Sequence, residues 1–119
     1  MMQVLLVAFG GAVGSVTRYG VGYLAARTLG VGFPWGTLII NVLGGLAMGV
    51  LTAKLDPSHE DMRLLIGVGV LGGFTTFSTF SIETVHLLER NLGLGALYAA
   101  ASVILSVAAC WAGFALTRA

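Results

Sequence analysis

Long apolar runs separated by short polar segments form the main pattern along this chain of 119 residues. A helix that spans a bilayer needs roughly 20 apolar residues. The runs predict four such helices, at about residues 4–26, 35–53, 64–88 and 94–116. One strongly polar loop, from Lys54 to Arg63, separates the second span from the third. The pattern therefore predicts an all-α membrane protein with a single four-helix transmembrane domain over residues 1–119.

The third run differs from the others because its middle is polar. Residues 72–83 contain two adjacent glycines, five hydroxyl residues and three phenylalanines, and they end in the carboxylate of Glu83. Adjacent glycines weaken a helix by about 1 kcal/mol each relative to alanine, and threonine and serine make good N-caps. Irregular backbone survives at membrane depth only where protein or a wet cavity surrounds it. We therefore predict a third helix that breaks near residues 72–75, restarts near Thr76, and faces protein or a pore.

Composition agrees with a membrane protein and excludes several functions. Charged residues make up only 9% of the chain, whereas soluble domains carry about 25%. A net charge of +1 provides no basic surface for nucleic acid, and the single Cys110 permits no disulfide within the chain. The sequence contains no nucleophile–base set, nucleotide-binding loop or redox motif. We therefore predict that the protein is not an enzyme.

The lysines and arginines are spread almost evenly over the two predicted sides of the membrane. Lys54, Arg63 and Arg118 share one side, whereas Arg27 and Arg90 lie on the other, with Arg18 a possible third. Because Lys/Arg bias fixes orientation, this balance permits insertion both ways round, and hence an antiparallel two-fold dimer. A weakly biased protein that inserts in one direction is the alternative.

Polar residues inside the spans are candidates for a site, because an unpartnered polar group in lipid costs several kcal/mol. Thr37 and Asn41 lie four residues apart on the second helix and therefore share a face. Tyr98, Ser102 and Ser106 repeat this spacing on the fourth helix and form a stripe of hydroxyls. All five side chains can donate hydrogen bonds and none is acidic, which favours a pathway for an anion. Hydroxyls bonded only within their own helix are the alternative interpretation.

The restarted third helix carries a second set of candidates. Phe77 and Phe80 are three residues apart and share a face. The edges of their rings carry the positive end of the aromatic quadrupole and can attract a small anion, although core packing is the commoner role of phenylalanine. A neighbouring polar face consists of Thr76, Thr79 and Glu83. The carboxylate lies deep enough in the span to need a partner, for which Arg18 is a candidate.

Three segments together resemble the Fluc (CrcB) family of fluoride channels. They are residues 10–14 with Arg18 and Tyr19, residues 36–44 with Asn41, and the motif GGFTTFSTFS at residues 72–81 with Glu83. The resemblance covers all four spans, and the motif of the third span is highly specific. It implies a passive channel that exports fluoride through the bacterial inner membrane and relieves fluoride toxicity. It also implies multi-pass subunits that form an antiparallel, dual-topology homodimer.

The resemblance further implies roles for individual residues. A structural sodium ion at the dimer centre would be held by the backbone carbonyls of Gly72 and Thr75 from each copy. The fluoride-facing phenylalanines of the family correspond to Phe77 and Phe80, its pore asparagine to Asn41, and its polar track to Tyr98, Ser102 and Ser106. With the hydroxyls of Thr37, Thr76 and Thr79, these residues form the predicted fluoride pathway, and Arg18 and Glu83 are further candidates.

A proton-coupled exporter of the small multidrug resistance type is the main alternative, because it shares the chain length, the four spans and the dual topology. That chemistry needs a carboxylate deep in the first helix, where this chain has Arg18 and no acid. A membrane-structural subunit without transport is a third class. Such a subunit would not need stripes of hydroxyls on two helices.

Overall fold

The computed structural model describes residues 1–118, which fold into helices and short connections. Within this range, four helical spans are long and apolar enough to cross a membrane, which confirms the predicted all-α membrane class. The first, second and fourth spans are α1 (Met2–Leu29), α2 (Trp35–Lys54) and α6 (Leu92–Arg118). The third span, Glu60–Arg90, comprises α3 (Glu60–Met62), a π-helix (Arg63–Leu71), α4 (Gly72–Phe74) and α5 (Ser78–Arg90).

Short connections of different chemistry join the spans. α1 ends at Leu29 and is followed by Gly30, whose φ of 85° suits a residue without a Cβ atom. α2 begins at Trp35, directly after Pro34, which has no backbone N–H that the first helical turn would leave unpaired. In the polar loop after α2, the backbone N–H of Ser58 donates to Asp56 Oδ1 over 2.8 Å. This bond lowers the pKa of the exposed Asp56 carboxyl.

Glycines bring the π-helix against α1. Gly10 and Gly14 are buried in α1 and face Gly69 and Val70 of the π-helix. A Cβ atom on Gly10 would lie 2.9 Å from the Gly69 Cα atom, closer than side-chain carbons ordinarily approach backbone. Such small residues let helix backbones approach each other where lipid supplies no hydrophobic force between helices. Both helices therefore depend on glycine where their backbones meet.

The same arrangement joins α2 to α6. Gly45 faces the Ser106 carbonyl, and a Cβ atom at Gly45 would lie 2.7 Å from that oxygen. One turn further along, Gly49 faces the carbonyl of Cys110, and Gly113 of α6 faces α2 in return. α2 and α6 therefore form one tightly packed pair, and α1 and the π-helix form the other. Ser102 and Ser106 of α6 are held beside α2 by this packing.

The buried core of the described residues lies at one end of the bundle, where α2, α5 and α6 meet. Its members are Leu38, Phe80, Leu87 and Tyr98, with Phe33, Val42, Leu94 and Ala99 packed against them. Most of the long apolar side chains on α1 and on the outer face of α6 are exposed. A bilayer is the environment that makes such a surface stable.

Candidate functional site

The helical backbone of the third span stops between α4 and α5. Thr75 has the extended conformation, with φ −84° and ψ 162°. Its backbone N–H and its Oγ1 both donate to the Leu71 carbonyl, over 3.0 and 2.9 Å. The first helical residue of α5 is Ser78, two positions after the restart predicted at Thr76. The Thr76 hydroxyl nevertheless serves the new helix as a cap, since Oγ1 accepts the Thr79 N–H over 3.1 Å.

Asn41 of α2 holds the interrupted segment by two hydrogen bonds to one residue. Its Oδ1 accepts the Thr76 N–H over 2.9 Å, and its Nδ2 donates to the Thr76 carbonyl over 2.9 Å. These bonds satisfy both polar backbone groups of Thr76, which the interruption removes from regular helix bonding. They also fix the orientation of the amide. If the side chain were flipped, its NH₂ group would face the Thr76 N–H and its oxygen would face the Thr76 carbonyl, and neither pair can form a hydrogen bond.

Arg18 and Glu83, two charged side chains that lie away from the ends of their spans, have different partners. Arg18 of α1 donates from Nε to the Gly73 carbonyl over 3.1 Å. Glu83 of α5 accepts a hydrogen bond from the Tyr98 hydroxyl over 2.9 Å at Oε1. The hydrogen bonds therefore attach the guanidinium to the third-span backbone and the carboxylate to α6, rather than to each other.

Aromatic rings form a continuous series from the interrupted segment into the core. The Phe77 and Phe80 rings are 5.4 Å apart at 51°, and the Phe80 and Tyr98 rings are 5.4 Å apart at 47°. Phe33, before α2, meets Tyr98 edge-on at 5.3 Å. The two predicted phenylalanines differ in burial, since Phe77 is 76% exposed and Phe80 only 9%. Phe33 was not among the predicted site residues, because only the folded packing brings it to Tyr98.

The hydroxyl stripe of α6 faces inward. Tyr98 is fully buried, and Ser102 is 5% exposed. The Oγ atoms of Ser102 and Ser106 are both buried, and neither has a hydrogen-bond partner within residues 1–118. Leaving a buried hydroxyl unsatisfied costs about 1–3 kcal/mol. Such atoms in a native fold therefore point to a ligand or water that the fold is built to receive.

These serines lie in the wall of a cavity of about 500 Å³, which we call the hydroxyl cavity. Eight of the predicted site residues line it: Asn41, Gly72, Thr75, Thr76, Phe77, Phe80, Ser102 and Ser106.

A second space of about 290 Å³, the Arg18–Glu83 cavity, is lined by Arg18, Thr37, Thr76, Thr79 and Glu83 together with neighbours from α1 and α2. Thr76 lines both cavities. Tyr98 connects their walls, because it packs on Phe80 and bonds to Glu83.

The hydroxyl cavity is lined by neutral hydrogen-bond donors, by two aromatic rings and by the backbone of Gly72. Among residues 1–118, no group of three or more His, Cys, Asp or Glu side chains could hold a metal ion. Side chains therefore provide no transition-metal centre in this range, and carbonyl oxygens remain as ligands for a hard cation. The arrangement is that of a multi-pass membrane protein with a polar cavity at the centre of its third span.

Comparison with known proteins identifies the family. Residues 5–114 match the family model described as CrcB-like protein, Camphor Resistance (CrcB). A protein of Rhizobium johnstonii named fluoride-specific ion channel FluC is 53% identical over 124 residues, covering 100% of this chain and 98% of the relative. Proteins of the same name from Caulobacter vibrioides and Agrobacterium fabrum are each 51% identical, over 99% of this chain and 97% and 98% of their own. The chain belongs to the CrcB-like family, which confirms the resemblance found in its sequence.

Proposed function

We propose that this protein is a passive, fluoride-selective ion channel. The observation that carries the proposal is the pair of buried hydroxyls of Ser102 and Ser106, which have no partner within residues 1–118. A serine hydroxyl can donate its hydrogen to an anion. Fluoride in the hydroxyl cavity would accept these bonds and remove the cost of two unsatisfied groups. Membership of a family whose relatives carry the name fluoride-specific ion channel supports the same conclusion.

The aromatic residues extend this route. Phe77 and Phe80 line the hydroxyl cavity, and Phe80 contacts Tyr98. Ring edges attract an anion without holding it as strongly as a fixed positive charge would, which suits conduction because a channel must release its ion. From Tyr98 the route continues to Thr37, Thr79 and the Arg18–Glu83 cavity.

We further propose that the channel lies in the bacterial inner membrane and exports fluoride from the cytoplasm. A membrane potential that is negative inside contributes about 2.3 kcal/mol per 100 mV to the outward movement of one anion. A passive route is therefore sufficient to lower the internal concentration and relieve toxicity. No coupled step or chemical reaction is required.

The chain also fits a structural sodium ion held by the carbonyls of Gly72 and Thr75. In an uninterrupted helix, these carbonyls would accept the N–H groups of Thr76 and Thr79, four residues further on. Here the Thr76 N–H donates to Asn41 Oδ1, and the Thr79 N–H donates to Thr76 Oγ1. The two implicated carbonyls therefore lose their regular helical donors, and carbonyl oxygens suit a hard cation. A cation there would add positive potential beside the anion route.

An antiparallel homodimer is the assembly we propose around this site. Two carbonyls from one copy are too few to enclose a cation, whereas a second copy related by a two-fold axis would bring the number of carbonyl ligands to four. Phe77 is 76% exposed beside the interrupted segment, which leaves its ring available to a partner surface. The even distribution of Lys and Arg permits the two copies to insert in opposite directions.

Fluoride efflux from proteoliposomes tests the function. We expect efflux down a fluoride gradient, with the same rate whether or not a proton gradient is imposed. Efflux that requires a proton gradient would favour the small multidrug resistance-type exporter, and no efflux at all would favour a structural subunit. Replacing internal and external sodium with N-methyl-D-glucamine tests the cation, and we expect slower efflux without sodium.

Cysteine labelling tests the dual topology. Ser58 lies exposed in the loop between α2 and α3, and Cys110 is the only native cysteine. In a Ser58→Cys, Cys110→Ala protein, a membrane-impermeant reagent should modify roughly equal fractions from each side of the membrane. Labelling from one side only would exclude the antiparallel dimer while leaving the conduction route intact.

A further inference from the structure

We propose that Asn41 is a positioning residue for the cation site, in addition to its place in the wall of the hydroxyl cavity. This inference rests on the proposed function, because it concerns the sodium ion assigned to Gly72 and Thr75. The sequence places Asn41 only in the anion pathway. Its hydrogen bonds show that its amide is engaged with the backbone of the interrupted segment.

Asn41 Oδ1 accepts a backbone N–H that would bond to the Gly72 carbonyl in a continuous helix. The Thr76 N–H stands four residues after Gly72 and is its regular helical donor. Asn41 Oδ1 accepts this N–H over 2.9 Å, so the bond to Gly72 is replaced by a bond to α2. The second bond, from Asn41 Nδ2 to the Thr76 carbonyl, prevents the amide from rotating away.

The carbonyls on either side of Gly72 are occupied by other donors. The Leu71 carbonyl accepts both the N–H and the hydroxyl of Thr75. The Gly73 carbonyl accepts Arg18 Nε over 3.1 Å. Of the three consecutive carbonyls of Leu71, Gly72 and Gly73, only that of Gly72 is released by Asn41, and it is the one assigned to the cation. Thr75 of the third span occupies the first of these carbonyls, Arg18 of α1 occupies the third, and Asn41 of α2 releases the second.

One amide therefore contacts both functional regions. Asn41 lines the hydroxyl cavity with Phe80, Ser102 and Ser106, and through Thr76 it determines what the Gly72 carbonyl can bind. Groups that orient metal ligands typically change metal affinity by roughly 10- to 100-fold when they are removed. Asn41 is expected to belong to this class, and to couple cation binding to the shape of the anion route.

Sodium-dependent thermal stabilisation provides a test that does not depend on transport. The purified full-length protein in detergent is unfolded by heat over a series of NaCl concentrations, with N-methyl-D-glucamine chloride keeping ionic strength constant. Because a ligand that binds only the folded state raises its stability with concentration, the midpoint of this rise measures sodium affinity. In Asn41→Ala the Thr76 N–H is free to return to Gly72. We expect the sodium midpoint to rise roughly 10- to 100-fold.

Asn41→Asp and Ser102→Ala separate the positioning role from pore lining. A carboxylate at position 41 still accepts the Thr76 N–H but no longer donates to the Thr76 carbonyl. The sodium midpoint should therefore rise less than in Asn41→Ala, while the added negative charge slows fluoride efflux. Ser102 lines the same cavity but has no bond to the interrupted segment. Its alanine variant should slow efflux without moving the sodium midpoint.

The possible results distinguish this inference from the proposed function. An unchanged sodium midpoint in Asn41→Ala would show that Asn41 only lines the anion route. A sodium midpoint raised roughly 10- to 100-fold in Asn41→Asp, which keeps the acceptor for the Thr76 N–H, would also refute the positioning role. This variant decides the matter if the alanine variant does not fold. Absence of any sodium response in the parent protein would remove the cation site itself, whereas fluoride efflux would still test the channel separately.

Discussion

The two halves of the third span contrast in the way they are held in place. Residues 64–74, before the interruption, are entirely apolar or glycine, and they pack backbone against backbone on α1. α5, after it, carries hydroxyls, Phe80 and Glu83, and it contacts α2 and α6 through side chains. Backbone packing tolerates no added atoms, whereas side-chain contacts leave space between the helices. The first half therefore provides a fixed support, and the second half provides the wall of a cavity.

The support should be the most sensitive part of the molecule. In Gly10→Ala, the new methyl group would meet the backbone of Leu65, Gly69 and Val70, none of which is a flexible side-chain end. We expect a loss of about 1–3 kcal/mol or more in folding stability, with little folded protein recovered. Gly11→Ala is the matched control, since a Cβ atom there meets nothing within 4 Å. Equal yields of the two variants by size-exclusion chromatography would contradict the described contact between α1 and the π-helix.

In the cavity half, exchanging an aromatic ring for an aliphatic chain should affect transport more than stability. Phe80→Ile is close to volume-conserving and should cost under about 1.5 kcal/mol in folding. It removes the ring quadrupole, so we expect fluoride efflux per folded protein to fall roughly tenfold or more, since about 1.4 kcal/mol corresponds to a factor of ten. Phe77→Ile should behave similarly, and Phe80→Met should retain part of the rate. Full efflux in both isoleucine variants would leave the hydroxyls as the only route.

Removing a hydroxyl from α6 should have a smaller effect. Ser106→Ala deletes one buried donor that has no partner within the described residues. A hydrogen bond contributes about 0.5–1.5 kcal/mol, so we expect a several-fold reduction in fluoride efflux with the fold retained or slightly stabilised. The double variant Ser102→Ala, Ser106→Ala should be slower still. Unchanged efflux in the double variant would assign both serines to packing alone.

The smallest effect is expected where a hydroxyl already has a partner in its own helix. Ser81 of α5 donates from Oγ to the Phe77 carbonyl over 2.8 Å. Ser81→Ala should change folding stability by less than about 0.5 kcal/mol and leave fluoride efflux at the parent rate. If Ser81→Ala reduced fluoride efflux as much as Ser106→Ala, the effect at Ser106 could not be attributed to its buried hydroxyl without a partner.

Much of the fold was predictable because membrane spans and glycine pairs leave a direct pattern in the sequence. The spans follow from apolar length, and the four-residue spacing of Gly10 and Gly14 is typical of a helix-packing face. The partner of that face, the π-helix, is known only from the fold. The π-helix itself, Arg63–Leu71, was not predicted. Its i→i+5 bonding does not alter the hydrophobic pattern of a segment in which every residue after Arg63 is apolar or glycine.

The candidate site was predictable in its members but not in its connections. The sequence selected Asn41, Thr76 and Ser106 from polarity and spacing, and the fold brings all three to one cavity. The sequence could not identify the hydrogen-bond partner of Arg18. That partner is the backbone carbonyl of Gly73, and a backbone carbonyl is present in every residue. The sequence could not identify Phe33 as the neighbour of Tyr98 either. The two residues are far apart in the chain, and their contact depends on how α2 packs on α6.

The stripe of serines has a consequence for the way in which an ion can move. Ser102 and Ser106 are one helical turn apart, with Cβ atoms roughly 5–6 Å from each other. A hydroxyl hydrogen turns about its C–O bond without moving any heavy atom. One serine can therefore keep its bond to a departing ion while the next turns towards the same ion. The transfer of an ion from one serine to the next therefore requires no movement of the α6 backbone.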